Sequence, residues 1–208
     1  MNSADPVIYV VDDDASVRSA LERLIKSMGY RVQTFDTARA FLESEPSHAP
    51  CCLILDVRMP RMSGLELQEK LTQSGLRMPI IFISGHGTLS VGVQAMKAGA
   101  SDFLEKPFEE QEILDAIRAA IKKDRQSRQK QAEIMQLRER AALLTPRESE
   151  VFRLAVSGQL NKQIAVELDV SEKTVKVHRS RVMEKMKTRS LASLVRMAEK
   201  IGLFRDSD

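Results

Sequence analysis

Two periods alternate along the first part of the chain. Short apolar runs at positions 7–11, 32–35, 52–55, 80–83 and 102–104 have the length of strands. Between and after them apolar residues recur with helical spacing. Val17, Leu21, Leu24, Ile25 and Met28 share one helix face, as do Ile113, Leu114, Ile117, Ala120 and Ile121. Strands that are apolar almost throughout, each followed by a helix, predict a parallel sheet covered on both faces. Residues 1–121 therefore read as a five-stranded, doubly wound α/β domain.

The pattern then changes. Residues 122–142 hold no Gly or Pro and few apolar positions before Ile134, Leu137 and Ala141, which predicts a solvated linker helix, or one continuing the fifth helix. From 143 to 208 every periodic stretch is helical. Thr145 to Glu148 has capping-box spacing, with Pro146 at the first helical position. Gly158 stops that helix, Asn161 opens a short second one, and Ser171 caps a third reaching about Lys187. Leu191, Leu194, Val195, Ala198 and Ile201 mark a fourth. Three short helices joined by tight turns, then another, predict an all-α helix-turn-helix domain.

Charge divides the chain in the same place. Residues 1–121 carry 12 Lys/Arg against 17 Asp/Glu, a net −5; residues 122–208 carry 20 against 12, a net +8. The second half is thus a candidate for binding a polyanion. No apolar run has the length of a membrane span, and the start MNSADP lacks an export signal, so a cytoplasmic protein is expected. Cys51 and Cys52 open an apolar run and read as buried, reduced thiols. His48, His86 and His178 show no metal-ligand spacing, and His86 reads as structural.

Polar chemistry gathers where the strands end. The first strand runs into Asp12, Asp13 and Asp14; the third ends at Asp56, the fourth at Ser84, and Lys106 follows the fifth. Asp14 reads as a helix cap. Three carboxylates crowded beyond a parallel sheet repel one another unless a cation offsets them. Oxygen ligands from Asp13, Asp56 and a backbone carbonyl suit Mg²⁺. Asp56 can then attack phosphorus to form an acyl phosphate, with Lys106 and the Ser84 hydroxyl stabilising the charge.

The segments VVDDD, LILDVRMPRMSGLE, ISGHG and AMKAGASDFLEKPF resemble the receiver domain of bacterial two-component response regulators, in its FixJ-like branch. The resemblance implies that Asp56 takes a phosphoryl group from a histidine of a sensor kinase. It implies Asp12 and Asp13 as the acidic pair of a Mg²⁺ (or Mn²⁺) site, completed by the Arg58 carbonyl. It also implies a cis bond at Lys106–Pro107, Ser84 as a switch residue that swings toward the phosphate, and Phe103 as one that turns inward. A haloacid-dehalogenase-type phosphatase also pairs an Asp nucleophile with Mg²⁺, but it needs a second acid two residues on, where Arg58 stands.

On the third helix of the basic half, Val175, Val182 and Met186, with the Arg179 stem, form one stripe, leaving Lys173, Lys176, Val177, Ser180 and Glu184 outward. Such a helix fits the major groove. The stretch LTPRESEVFRLAVSGQLNKQIAVELDVSEKTVKVHRSRVMEKM is similar to the LuxR-type DNA-binding domain. That similarity implies base contacts from Lys176, Val177 and Ser180. Lys173, Thr174, Arg179 and Arg181 would hold phosphates. Asp169 stands where the family has Gly in the turn, and Asp tolerates the left-handed conformation. An RNA-binding or protein-binding output is the alternative. The two resemblances together imply a transcription factor that dimerises on phosphorylation, binds double-stranded promoter DNA and contacts RNA polymerase. They imply transfer of phosphate onto the protein itself, with no turnover of a substrate. The whole chain is similar to response regulators of aromatic-hydrocarbon degradation, including styrene degradation.

Overall fold

The computed structural model describes residues 5–45, 47, 49–85 and 89–203; His48 and His86 lie outside them. The chain divides into two compact units, Met1–Arg128 and Gln129–Asp208.

In the first unit the strands are β1 (Val7–Val11), β2 (Arg31–Phe35), β3 (Cys51–Asp56), β4 (Ile80–Ser84) and β5 (Asp102–Glu105). They pair in parallel in the order β2-β1-β3-β4-β5. The helices are α1 (Ala15–Ser27), α2 (Ala38–Leu42), α3 (Gly64–Gln73), α4 (Leu89–Lys97) and α5 (Glu110–Ala142). Successive side chains of a strand point to opposite faces, so the apolar strands feed two cores. Tyr9, Leu53, Leu55 and Phe82 meet Phe41, Leu67, Leu71 and Ala95 of α2, α3 and α4. Ile8, Val10, Ile54 and Ile83 meet Leu21, Ile25, Ile113 and Ile117 of α1 and α5. Helices thus cover both faces, as the apolar pattern predicts. Cys51 and Cys52 are buried free thiols, and burial pushes the pKa of both upward.

The linker expectation needs revision at its start. Residues 122–128 belong to the first compact unit, and Asp124 is buried there. The Leu53 N–H donates to the Pro79 carbonyl on the β4 side. Cys51, two residues earlier, turns its N–H to the same side, before β4 begins. The Asp124 carboxylate supplies the missing acceptor at 2.9 Å. Arg128 neutralises it at 2.6 Å. A buried strand amide and a buried charge therefore satisfy each other. From residue 129 the helix is largely exposed, with Leu137 buried.

In the second unit α5 is followed by α6 (Pro146–Val156), α7 (Asn161–Glu167), α8 (Glu172–Lys185) and α9 (Leu191–Ile201). Thr145 and Glu148 form the capping box at α6, Ser171 caps α8 and Ser190 caps α9. Phe152, Val182, Met186, Leu194 and Ala198 make one core; Val151, Ala155, Ile164 and Val175 make another. Asp169 adopts φ 50° in the α7–α8 turn, the left-handed conformation expected of it. Glu148 does more than cap. It is buried, and its Oε2 accepts from the Thr145 N–H at 2.9 Å and from Lys185 at 2.6 Å. The Lys185 hydrogen bond, then the Thr145 amide, holds its carboxyl below the usual glutamate range.

Two outcomes are expected. Asp124→Ala leaves the Cys51 amide and Arg128 without their acceptor, costing about 2–3 kcal/mol in urea unfolding. Hydrogen exchange should accelerate at residues 122–128; unchanged exchange there would contradict the anchoring role. For Glu148 the folded pKa is depressed, so its contribution to stability is complete above the ordinary glutamate pKa and fades as pH falls through the depressed value. Glu148→Gln should therefore flatten the acid-side loss of stability, followed in urea titrations through amide NMR signals of α6 and α8.

Candidate functional site

Strand register builds the first site. Val11 pairs with Leu55, so Asp12 leaves the sheet beside Asp56. Asp56 pairs with Ile83, and Ser84 with Glu105. The Lys106 N–H donates to the Ser84 carbonyl at 2.8 Å. Four strand ends thus meet at one edge, flanking the point between β1 and β3 where strand order reverses. Asp12, Asp13, Asp14, Asp56, Arg58, Ser84, Gly85 and Lys106 line a pocket of about 190 Å³ there. Asp12, Asp13, Asp56, Arg58, Ser84 and Lys106, the phosphorylation and metal residues expected from the sequence, all border this pocket, and Phe103 does not.

Lys106 organises it. Its ammonium lies 2.7 Å from Asp12 Oδ2 and 2.7 Å from Asp56 Oδ1. The Arg58 N–H donates to Asp56 Oδ2 at 2.7 Å. Asp12 and Asp56 are buried, whereas Asp13 is exposed at the mouth. Burial pushes the Asp56 carboxyl above the ordinary aspartate range; Lys106 pulls it back and Asp12 adds to the rise. Burial works to lower the Lys106 pKa, but its hydrogen bonds to Asp12 and Asp56 carry it above the ordinary lysine value. Asp14 caps α1, accepting from the Ser16 N–H at 2.7 Å. The Lys106–Pro107 bond is cis.

Among the described residues no three ligating side chains form a ready-made metal cluster, and the Lys106 ammonium contacts both Asp12 and Asp56. The donor chemistry nevertheless fits a hard divalent cation. The donors are all oxygen, and the pocket holds four carboxylates against two cationic side chains.

Two contributors were not singled out from the sequence. A Cβ on Gly64 would overlap the Asp56 carbonyl oxygen, so only glycine lets α3 approach the end of β3 so closely. The Gly before the helical pattern was its only trace. Arg18 donates to the Asp12 carbonyl at 2.7 Å; its partner is irregular backbone, which no side-chain periodicity reveals.

Phe103 sits apart from the pocket, half-buried on β5. Its ring centroid lies 6.5 Å from that of Phe82, and its edge faces Gly92 of α4. Beside it α4 exposes Leu89, Val93 and Met96.

In the second unit α8 separates its faces as expected. Val175, Val182 and Met186 are buried, while Lys173, Lys176, Val177, Ser180 and Arg181 are exposed. Thr174 is half-buried and shares a 2.8 Å hydrogen bond with Ser171 at the cap. Arg179, which the resemblance implied as a phosphate contact, has a partner within its own unit. Its guanidinium is half-buried and donates to Asn161 Oδ1 at 2.6 Å, joining α8 to the start of α7. Among the described residues no helix is long and apolar enough to cross a membrane.

Comparison with known proteins matches both parts of the chain. Residues 8–118 match the response regulator receiver domain, and residues 142–198 match the luxR family of bacterial regulatory proteins. The response regulator protein TmoT of Ectopseudomonas mendocina is 50% identical, over 97% of this chain and 91% of that protein. The transcriptional regulatory protein FixJ of Bradyrhizobium diazoefficiens is 41% identical, over 96% of this chain and 97% of that protein. A solved structure of the response regulator StyR superposes with a TM-score of 0.84 at 50% identity, covering 95% of this chain and all of that one. With an acidic pocket at one sheet edge and an exposed basic helix in the second unit, the chain belongs to the bacterial response regulators, and it is a transcription factor that joins a receiver domain to a LuxR-family DNA-binding domain.

Proposed function

We propose that Asp56 is the phosphoacceptor and that its phosphorylation by a sensor histidine kinase promotes pairing of the protein and binding to promoter DNA. The observation that carries this is the meeting of Asp12, Asp56, Ser84 and Lys106 in one pocket, with the ammonium shared between the two buried acids. An Asp56 oxygen forms a new bond to phosphorus. The donor's N–P bond breaks, and its electron pair stays on the imidazole nitrogen. Lys106 already points at Asp56 and follows the charge onto the phosphoryl oxygens. Asp12, Asp13, Asp56 and the Arg58 carbonyl would hold Mg²⁺, which would supply charge neutralisation at those oxygens. The protein itself is the acceptor, so the chemistry is self-modification and not turnover of a substrate.

The phosphoryl group draws the Ser84 side chain toward it, and Phe103 turns inward. The face reshaped in this way is the apolar one on α4, where Leu89, Val93 and Met96 lie exposed; it is the face proposed to pair two copies. Moving the resting equilibrium to the active side takes about 5 kcal/mol of differential stabilisation, which a buried dianion beside Lys106 and a metal ion can supply. Pairing brings two α8 helices to successive half-sites. Lys176, Val177 and Ser180 face the bases, while Lys173, Thr174, Arg179 and Arg181 hold phosphates. The target genes are those of aromatic-hydrocarbon degradation, styrene degradation included, reached through contact with RNA polymerase. The setting is the cytoplasm, where Cys51 and Cys52 stay reduced.

Asp56→Asn should abolish labelling by a small phosphodonor with Mg²⁺ while leaving the circular dichroism spectrum unchanged. Persistent acyl phosphate in that variant would refute the assignment. Lys176→Ala should lose about 1–3 kcal/mol on the cognate site, with less change on scrambled DNA. Equal loss on both sequences would move Lys176 from the bases to the backbone.

A further inference from the structure

We propose that Arg18 is a positioning residue for the divalent cation, holding the Asp12–Asp13 peptide so that both side chains face the pocket. This rests on reading the pocket as a Mg²⁺ site. Arg18 lies on α1, and its Nη1 donates to the Asp12 carbonyl oxygen at 2.7 Å. That carbonyl belongs to the peptide bond joining the two acids. Asp12 is held at three other points: its N–H donates to the Phe35 carbonyl at 3.2 Å, and its Oδ1 accepts from the Asp14 N–H at 2.8 Å. Lys106 takes Oδ2. The Asp14 bond closes a ring through the Asp12–Asp13 peptide, and Arg18 takes that peptide's carbonyl directly, so the two bonds together set the tilt of its plane. That tilt decides where the Asp13 side chain points. Asp13 is exposed and makes no hydrogen bond among the described residues that would hold it. The guanidinium, half-buried on a regular helix, is a rigid clamp on this plane.

A guanidinium near the site also has a second effect, of opposite sign. Its charge repels a dication, so by repulsion alone its removal would tighten cation binding. If positioning dominates, removal weakens binding, as losing groups that orient metal ligands does. The direction of change therefore separates the two roles.

The test is direct binding of Mn²⁺ to the full-length, unphosphorylated protein, read from the free-ion signal in electron paramagnetic resonance. Arg18→Ala should weaken binding about tenfold. Arg18→Lys, which keeps the charge and one donor, should recover most of it. Arg18→Gln keeps a neutral donor and part of the reach, and should fall between them with an unchanged urea midpoint. Unchanged or tighter binding in Arg18→Ala overturns the proposal. Asp13→Asn, measured alongside, reports on the parent reading. Binding equal to the unmodified protein's in that variant overturns the cation site itself. Loss there with no change in Arg18→Ala overturns only the role of Arg18.

Discussion

The Lys106 ammonium touches Asp12 and Asp56 at 2.7 Å each, and both carboxylates are buried. Two ionised acids at such a place repel each other and resist desolvation, so the upward pressure on the Asp56 pKa is the cost of the arrangement. The lysine relieves part of it and leaves the pocket with an excess of negative charge. That residual charge gives the site its chemistry. In the proposed function it would attract a divalent cation, and Asp56, the proposed nucleophile, lies beside a cationic group that would move with the transferring phosphoryl. The geometry depends on no single loop. It follows from the register of four parallel strands, each shifted so that its polar end reaches the same edge.

The basic unit is built on a comparable division of labour. Its α8 buries one face to hold the fold and leaves the other open, with Val177 exposed among Lys173, Lys176 and Ser180. An exposed valine gains nothing in the free protein, which fits a side chain kept for an apolar contact such as a thymine methyl. Arg179 sits at the border of the two faces. Its stem lies on the inner stripe and its head bonds Asn161, so it stabilises the α7–α8 angle on which the open face depends. The buried Glu148, tied to Lys185, does the same for α6 and α8.

Much of this was legible along the chain, for identifiable reasons. The strands showed because two covered faces demand apolar residues at nearly every position. The caps at Thr145 and Ser171 showed because their partners lie within one turn. The acids at the strand ends showed because polar residues directly after apolar strands are conspicuous. The left-handed turn at Asp169 followed from the small set of residues that tolerate it.

What stayed hidden shares one property: the partner lies elsewhere in the chain or on the backbone. Asp124 looked like one more charge in a solvated helix, yet its carboxylate satisfies the amide of Cys51, 73 residues away. Glu148 looked like a cap and also pairs with Lys185, 37 residues away. Arg18 and Arg179 carried no sign of the carbonyl and amide oxygens they serve. The sequence by itself determined the element types, the two-part division and the residues able to do chemistry, because local spacing and solvation act through neighbours. Only the tertiary structure decided which buried charges meet, which amides they satisfy and which cations remain free to face a ligand, because those outcomes depend on distances through space that chain order does not encode.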